Sequence, residues 1–335
     1  MEVSCNTRSS LRHYDGISHP VIFSSYLMLS VIGVFGIVGN ILCANVLLSP
    51  SIRKFPFNVL LLHSAVWNIL LLLSKILHFV SFLNLLTSDP DIPYFPELAL
   101  LDFFIISVLV SVTSQMGSIV TTIMVNIDRY LSIRKMQPGI SSGRSKKRVV
   151  YMIIISFVST ILYGVPFIWK YSIEQCNDAN GTRDILKQNT NPFLKWYYSK
   201  FFVGIIRSFV PFIILSYLNF KLVVFIKLQT ALRKTMASSH QNNNGGDIPI
   251  TKIVVAISTM PLVTVIVQVV RVCVTHNFEN EDQAVLNFCL KMAQHLAEML
   301  EASLNVVFCC VWGRKFRNTF REMVSCRRKM MIAKL

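Results

Sequence analysis

Charge is the scarcest commodity in this chain. Only 15% of its 335 residues are Asp, Glu, Lys or Arg, against about 25% in an ordinary soluble domain. Acid is scarcer still: 17 Asp and Glu face 33 Lys and Arg, for a net charge of +16. The strict alternation of apolar and polar residues that barrel strands require is also lacking. No grouping of His, Asp and Cys has nucleophile or metal spacing at one depth, so an enzyme is not expected and no cofactor is implied. What is abundant is apolar surface, with 53% hydrophobic residues and a mean hydropathy of +0.53.

The apolar residues fall in seven blocks, at about 22–49, 57–83, 99–127, 149–170, 199–227, 250–275 and 286–312. Each is long enough for the roughly 20 residues that cross a bilayer. In hydrocarbon every backbone group must be satisfied within its own segment, so these blocks are helices. The expected fold is an all-α integral membrane protein: a seven-transmembrane helix bundle over 21–312, an extracellular N-terminus at 1–20, and a cytoplasmic amphipathic helix and tail at 313–335.

In a soluble chain the surplus of positive charge would suggest nucleic acid. Here the basic residues fall in alternate loops: Arg53 and Lys54; Arg134, Lys135, Arg144, Lys146, Lys147 and Arg148; Lys227, Arg233 and Lys234; then the tail from Arg314 and Lys315 to Arg327, Arg328 and Lys329. The opposite loops are acidic or mixed, with Asp89, Asp91 and Glu97 in one and Glu279, Glu281 and Asp282 in another. By the positive-inside rule the basic loops are cytoplasmic, which puts the N-terminus outside and the C-terminus inside and excludes nucleic acid as a partner. The first twenty residues are polar and lack an apolar core, so the first span is expected to direct its own insertion. The sequon Asn180-Gly181-Thr182 lies between spans four and five, on the outer side in this topology. Cys43, Cys309 and Cys310 read as packing residues within the membrane. Outside it, Cys5–Cys176 and Cys273–Cys289 are both open as pairings.

The loops are short. The longest inner one, about 228–249, ends in a polar, Gly-rich connector, after which Asp247 and Pro249 suit the start of span six. Beyond span seven, Gly313 precedes Arg314-Lys315-Phe316-Arg317-Asn318-Thr319-Phe320-Arg321. Phe316 and Phe320 share one helical side and the cations take the other, as in a helix lying on anionic lipid headgroups. Cys326 in this basic setting reads equally as a palmitoylation site or a free thiol.

Span three ends in Asn126-Ile127-Asp128-Arg129-Tyr130, just before a basic loop. An Asp-Arg pair there is expensive unless function requires it. With seven spans, the outside N-terminus and the amphipathic eighth helix, this resembles a rhodopsin-like G-protein-coupled receptor over essentially the whole chain. Gly39-Asn40 matches the family's Gly-Asn pair; Asn58 through Asn68 matches its Asn-Ala-Asp pattern, with Asn68 where Asp is usual; Ser118 and Pro211 fall at its span-three Ser and span-five Pro; Asn305-Val306-Val307-Phe308-Cys309 replaces its Asn-Pro-x-x-Tyr. Pro211-Phe212 with Leu218-Asn219, and the string Thr251-Lys252-Ile253-Val254-Val255-Ala256-Ile257, look most like invertebrate FMRFamide-type neuropeptide receptors. Phe104 stands where the family has its span-three cysteine, which leaves Cys176 without its usual partner. Val265 and Val267 occupy the usual switch and Pro positions of span six, moving any kink to Pro261. The resemblance implies a coupling switch made of Asp128, Arg129, Tyr130, Asp247 and Asn305, with Asp247 as the acidic partner of Arg129. It also sets aside two ligand classes: Ser111 replaces the Asp of amine receptors, and Met299 replaces the retinal-linking Lys.

Span seven carries Lys291, His295, Glu298 and Glu301 on one helical face, which must point into the bundle. Glu301 holds a position where the family usually has Asn, so the carboxylate of the central polar pocket has moved from span two to span seven. The pocket of Asn40, Asn68, Ser118, Glu301 and Asn305 is open to two readings: a sodium site at Asn68, Ser118 and Glu301, or a Glu301 that only packs the core. Nearer the outside, Lys75 shares the inward face of Asn68; with Gln115, Arg207, Gln268, Arg271, Lys291, His295 and Glu298 it forms the candidate ligand pocket. The plainer reading has Lys75 or Arg207 paired with Glu298 while Arg271 and Lys291 snorkel outward.

The expected function is a plasma-membrane receptor for an extracellular ligand, a neuropeptide, that activates a heterotrimeric G protein. The alternatives are a chemosensory receptor for a small anionic or apolar ligand, which the departures from the family's switches suit, and a transporter, which the lack of inverted repeats disfavours. With Ser325 almost alone as a phosphorylatable tail residue, strong tail-dependent arrestin recruitment is not expected.

Overall fold

The computed structural model describes residues 18–50, 56–87, 97–134, 146–168, 171–178, 181–188, 204–236, 247–277, 284–312, 316–322 and 325. These form helices α1 (His19–Leu47), α2 (Pro56–Thr87), α3 (Glu97–Arg134), α4 (Lys146–Ile168), α5 (Val210–Met236), α6 (Asp247–Asn277) and α7 (Ala284–Trp312). A short α8 (Phe316–Glu322) follows, at 89° to α7. Six of the helices are apolar and long enough to cross a membrane by composition alone, and α7 qualifies when counted with α8. The charges of α7 explain its lower apolarity: they are turned inward.

Each apolar block became a helix, with ends that differ from those expected. The largest difference is at α3, expected to stop near 127 but running to Arg134. Asp128-Arg129-Tyr130 therefore sits inside a continuous helix, more than a turn before its end. α3 has 38 residues, about 57 Å at 1.5 Å per residue, well beyond a hydrocarbon core of about 30 Å. Pro261 lies within the unbroken α6.

Between α4 and α5 the chain makes a two-stranded antiparallel hairpin, β1 (Tyr171–Asp178) and β2 (Gly181–Gln188), with Tyr171 opposite Gln188 and Cys176 opposite Arg183. The helical bundle is as expected; the hairpin is an addition to it. Asn180 and Cys5 lie outside the described residues, as does the side chain of Cys176. Cys273 and Cys289 are both free, exposed thiols, so the Cys273–Cys289 pairing is not made. Cys43 and Cys309 pack in the core as expected.

α3 is the central column, in contact with α2, α4, α5 and α6, while α1 closes the ring by packing on both α2 and α7. The polarity of the bundle is inverted relative to a soluble protein. Val34, Phe35 and Val38 on α1, Ile154, Phe157 and Ile161 on α4, and Ile213, Tyr217 and Phe220 on α5 face outward. Asn40, Asn68, Gln115, Asn126 and Glu298 are fully enclosed. Apolar residues outside and polar residues inside are what a bundle solvated by lipid requires.

Close packing needs small residues where helices touch. A Cβ on Gly36 of α1 would strike Ser303 of α7, and one on Gly33 would lie 2.5 Å from the Met299 methyl. On α3, Gly117 faces the Trp67 indole, where a Cβ would come within 2.5 Å of ring carbon. Trp67 has little room to retreat, since its Nε1 donates to His63 Nε2 at 3.0 Å and its ring lies 5.3 Å from that of Phe157. Gly117→Ala is expected to destabilise the protein by about 1–3 kcal/mol through overpacking, read as a lower melting temperature of the purified chain. Combining it with Trp67→Leu should restore part of the loss.

Candidate functional site

α7 presents Lys291, Gln294, His295, Glu298 and Glu301 at spacings of three and four, so they share one face. At the centre of that face Glu298 is 1% exposed. Two cations meet its carboxylate: Lys75 Nζ of α2 lies 2.5 Å from Oε2, and Arg207 Nη2 lies 3.1 Å from Oε1. Gln294 Nε2 donates to the same Oε1 at 2.7 Å, and Lys75 Nζ is also 3.1 Å from His295 Nδ1. Arg207 reaches further and donates to Gln115 Oε1 on α3. Arg271 of α6 joins through Gln294, donating to its Oε1 at 2.6 Å. Lys291, one turn before His295, lies 5.7 Å from the Phe82 ring centroid.

Arg207 arrives by an unusual route. Residues 204–209 form a π-helical stretch immediately before α5. Pro211 has no N–H for the carbonyl of residue 207, and its ring would crowd that carbonyl in a regular helix. A widened turn relieves the conflict, as π-turns inside helices often do at functional sites. Here it delivers the guanidinium to α3 and α7.

Most of the residues expected at the ligand site are thus brought together. Lys75, Gln115, Arg207, Arg271, His295 and Glu298 belong to one hydrogen-bonded and ion-paired network. Gln268 is 2% exposed and lies on the α6 face between Thr264 and Arg271. The plainer expectation, one cation pairing with Glu298, is met twice over. Two members had not been singled out: Gln294, and Tyr163 of α4, whose buried hydroxyl lies close to Arg207. Gln294 had a signal, being four residues before Glu298 on the same face. Tyr163 had none beyond its membership of an apolar span.

One turn deeper lies a second polar layer. Asn40 Nδ2 donates to the carbonyls of Gly36 and Ala302, both at 2.8 Å, and Ser118 donates to Asn68 Oδ1 at 2.8 Å. Glu301 is buried beside Thr264 of α6. The Thr264 hydroxyl donates to the Met260 carbonyl at 3.2 Å, and neither Glu301 oxygen accepts a well-formed hydrogen bond among the described residues. Asn305, a turn further on, is half-buried. Of the five residues of this layer, Asn68 and Ser118 bond to each other and Asn40 is held by backbone carbonyls, so the layer is not one network among the described residues.

At the other end of α3, Arg129 is 5% exposed. Its guanidinium carbon lies 3.7 Å from the centroid of the Phe57 ring. Asp128 is buried beside it, with Oδ2 making no hydrogen bond among the described residues. Around them Phe57, Leu60, Val125, Ile253, Ile257 and Phe316 form a continuous apolar cluster, with Tyr130 and Phe320 against it. α6 begins at Asp247, whose side chain is outside the described set, as are Gly313, Arg314, Lys315 and Cys326. α8 matches its expectation: Phe316 and Phe320 face the core, and Arg317 Nη1 donates to the Cys310 and Val311 carbonyls at 3.1 and 2.5 Å. That satisfies carbonyls at the end of α7 that have no partner within the helix.

A seven-helix bundle with this polar interior and an Arg-bearing third helix defines a class, the G-protein-coupled receptors. The family model for serpentine-type seven-transmembrane G-protein-coupled chemoreceptors, Srw, matches residues 27–327, and the chain belongs to that family. Its members are receptors and not enzymes. The FMRFamide receptor of Drosophila melanogaster is 20% identical over 324 residues, a match covering 88% of this chain and 52% of the relative. The chain thus spans about half the length of the curated relative it matches. Squid rhodopsin, known from a crystal structure, shares the fold with a TM-score of 0.64 at 16% identity, over 92% of this chain and 87% of that one.

The shared carboxylate makes an asymmetric pair of substitutions informative. Glu298→Gln strands two buried cations and is expected to cost about 3–5 kcal/mol. Lys75→Met leaves Glu298 with Arg207 and Gln294 and should cost less. Thermal unfolding of the two purified variants checks the order, and a larger loss for Lys75→Met would contradict the geometry.

Proposed function

We propose that the chain is a plasma-membrane receptor whose ligand binds at the level of Lys75, Arg207 and Glu298, and whose signal leaves through the Arg129 end to a heterotrimeric G protein. The observation that carries this reading is the triad itself. One carboxylate links α2, α7 and the π-stretch before α5, so a ligand that disturbs it changes how those three helices are held. Gln115 beside the triad and Arg129 are fourteen residues apart on the one helix α3, about 21 Å along its axis. Ligand binding would shift a pre-existing equilibrium between packings of these helices and expose Arg129 to the partner.

The alternating basic loops support an orientation with the Arg129 end in the cytoplasm, the N-terminus outside and residues 313–335 inside. Asp247 remains the acidic residue best placed in sequence to meet Arg129, and Asn180 the candidate glycan site. Basic inner loops favour an acidic partner surface, and α8 suits contact with anionic lipid. A peptide ligand is supported by the likeness to the Drosophila FMRFamide receptor. A small chemosensory ligand is supported by the chemoreceptor character of the family.

In this reading Phe57 restrains Arg129 in the resting state. A cation-π contact of this kind contributes about 1 kcal/mol, which is about fivefold in a population. Arg129→Ala is expected to abolish G-protein nucleotide exchange in reconstituted membranes. Phe57→Leu, which keeps the apolar volume, should raise basal exchange about fivefold; no rise would remove Phe57 from the switch.

The deeper layer fits a hard monovalent cation by its donors, since both Glu301 oxygens and Asn40 Oδ1 are buried without hydrogen-bond partners among the described residues and such ions take oxygen ligands. Glu301 would be the charged ligand, with Asn68 and Ser118 beside it. Sodium chloride is expected to raise the melting temperature of the purified receptor above that in N-methylglucamine chloride, and Glu301→Gln to erase the difference. An equal sodium effect in that variant would make Glu301 a packing residue.

A further inference from the structure

We propose that the ligand taken by this site carries a carboxylate, which binds by replacing Glu298 on Arg207. The inference rests on the site being the receptor's ligand pocket and adds the chemistry of what enters it.

Charge is the first argument. Lys75 and Arg207 are 7% and 8% exposed and share one carboxylate, so the buried triad carries a net positive charge. Such a surplus in a buried interior is costly and favours an anion that cancels it, the charge of Glu301 one turn away being taken up by the cation proposed for its own layer. Arg271 and Lys291 stand on the outward side of the triad, so an approaching anion meets positive charge along its path, whereas an ammonium or guanidinium group would be repelled. Glu298 is no free counter-ion for a cationic ligand, because its two oxygens already answer Lys75, Arg207 and Gln294.

Hydrogen-bonding capacity is the second argument. Three buried N–H groups of the same layer have no hydrogen-bond partner among the described residues: Gln115 Nε2, Gln268 Nε2 and His295 Nε2. His295 Nδ1 lies 3.1 Å from the Lys75 ammonium, a donor, and 3.6 Å from Glu298 Oε2; the nearer contact favours the tautomer with its proton on Nε2. An ionised carboxylate only accepts hydrogen bonds, so it fits a layer whose surplus is of donors. A primary amide brings further N–H groups and cancels no charge.

The exchange makes and breaks no covalent bond. The ligand carboxylate takes the Arg207 guanidinium, whose planar fork suits a carboxylate, and Glu298 keeps Lys75 and Gln294. The direct link between the π-stretch and α7 is then lost, which is how binding would be felt by the helices.

The test uses purified full-length receptor in detergent at fixed pH and ionic strength. Melting curves are recorded with butanoate, hexanoate and octanoate and with the primary amides of the same lengths. Acids should raise the melting temperature and amides should not. The peptide Phe-Met-Arg-Phe as free acid and as amide forms a parallel arm: a shift with the free peptide acid and none with alkanoates identifies a peptide carboxylate, and the reverse identifies a small acid. In Glu298→Gln the competing charge is gone, so the acids should bind at least about tenfold tighter, a change of about 1.4 kcal/mol, and recover stability lost in that variant. Equal shifts by acids and amides, no shift by any acid, or weaker acid binding in Glu298→Gln would each overturn the proposal. The wild-type arm stands even where a variant does not fold. Loss of nucleotide exchange in Arg129→Ala is read without ligand, so the receptor reading survives if only the carboxylate fails.

Discussion

A carboxylate removed from water must be answered by positive charge, and Glu298 is answered from two directions at once. Lys75 reaches it from α2 and Arg207 from the π-stretch before α5. Those two ion pairs turn three separately inserted helices into one unit, and Arg207 extends the tie to α3 through Gln115. Buried ion pairs add less stability than their geometry suggests, because each ion has been stripped of its water. Their value is selectivity among packings: lipid offers no alternative partner, so a helix rotation that breaks the triad leaves a bare charge. The inward face of α7 follows from this constraint, and the turn that Pro211 imposes on the chain brings Arg207 to meet it.

The bundle has opposite characters at its two levels. Around Glu298 it is buried but charged, and a small chemical change there has large electrostatic effects. Around Arg129 it is apolar, with Phe57, Ile253, Ile257 and Phe316 closing the end and the guanidinium lying on an aromatic face. The layer of Asn40, Asn68, Ser118 and Glu301 lies between them. The proposed reading uses this division: a ligand at the Glu298 level would meet a site that responds to chemistry, and a partner at the Arg129 end a surface that responds to shape. α3 and α7 run through all three levels and are the elements able to relate them.

Hydropathy and loop charge were enough to read the helical bundle, because in a bilayer segment length and backbone satisfaction leave few alternatives. The polar face of α7 was equally legible, since charges at spacings of three and four cannot face lipid. The hairpin of β1 and β2 was not. Its dipeptide Asn180-Gly181 was read as part of a sequon although it is also a turn signal, and no apolar alternation marks its strands. The end of α3 was misplaced because Ser132 and Arg134 look like loop residues, yet helices continue past the hydrocarbon when water satisfies their side chains. Arg207 was named as a pocket residue, but the π-stretch that carries it depends on a local steric conflict that periodicity does not register. Phe57 under Arg129 was invisible for a different reason: two residues seventy-two positions apart in sequence met only once α2 and α3 were packed.

The seam between α1 and α7 bears on how such a bundle can move. Gly33 and Gly36 let α7 lie so near α1 that Met299 and Ser303 fill the space a methyl group would need, and Asn40 holds the Ala302 carbonyl at 2.8 Å. Tilting α7 away would open a gap that neither lipid nor side chain is shaped to fill, and sliding it would unseat Met299 and Ser303 and break the Asn40 bond. The seam is therefore a fixed edge of the bundle, and in the proposed reading a rearrangement begun at Glu298 would have to open on the other sides of α7.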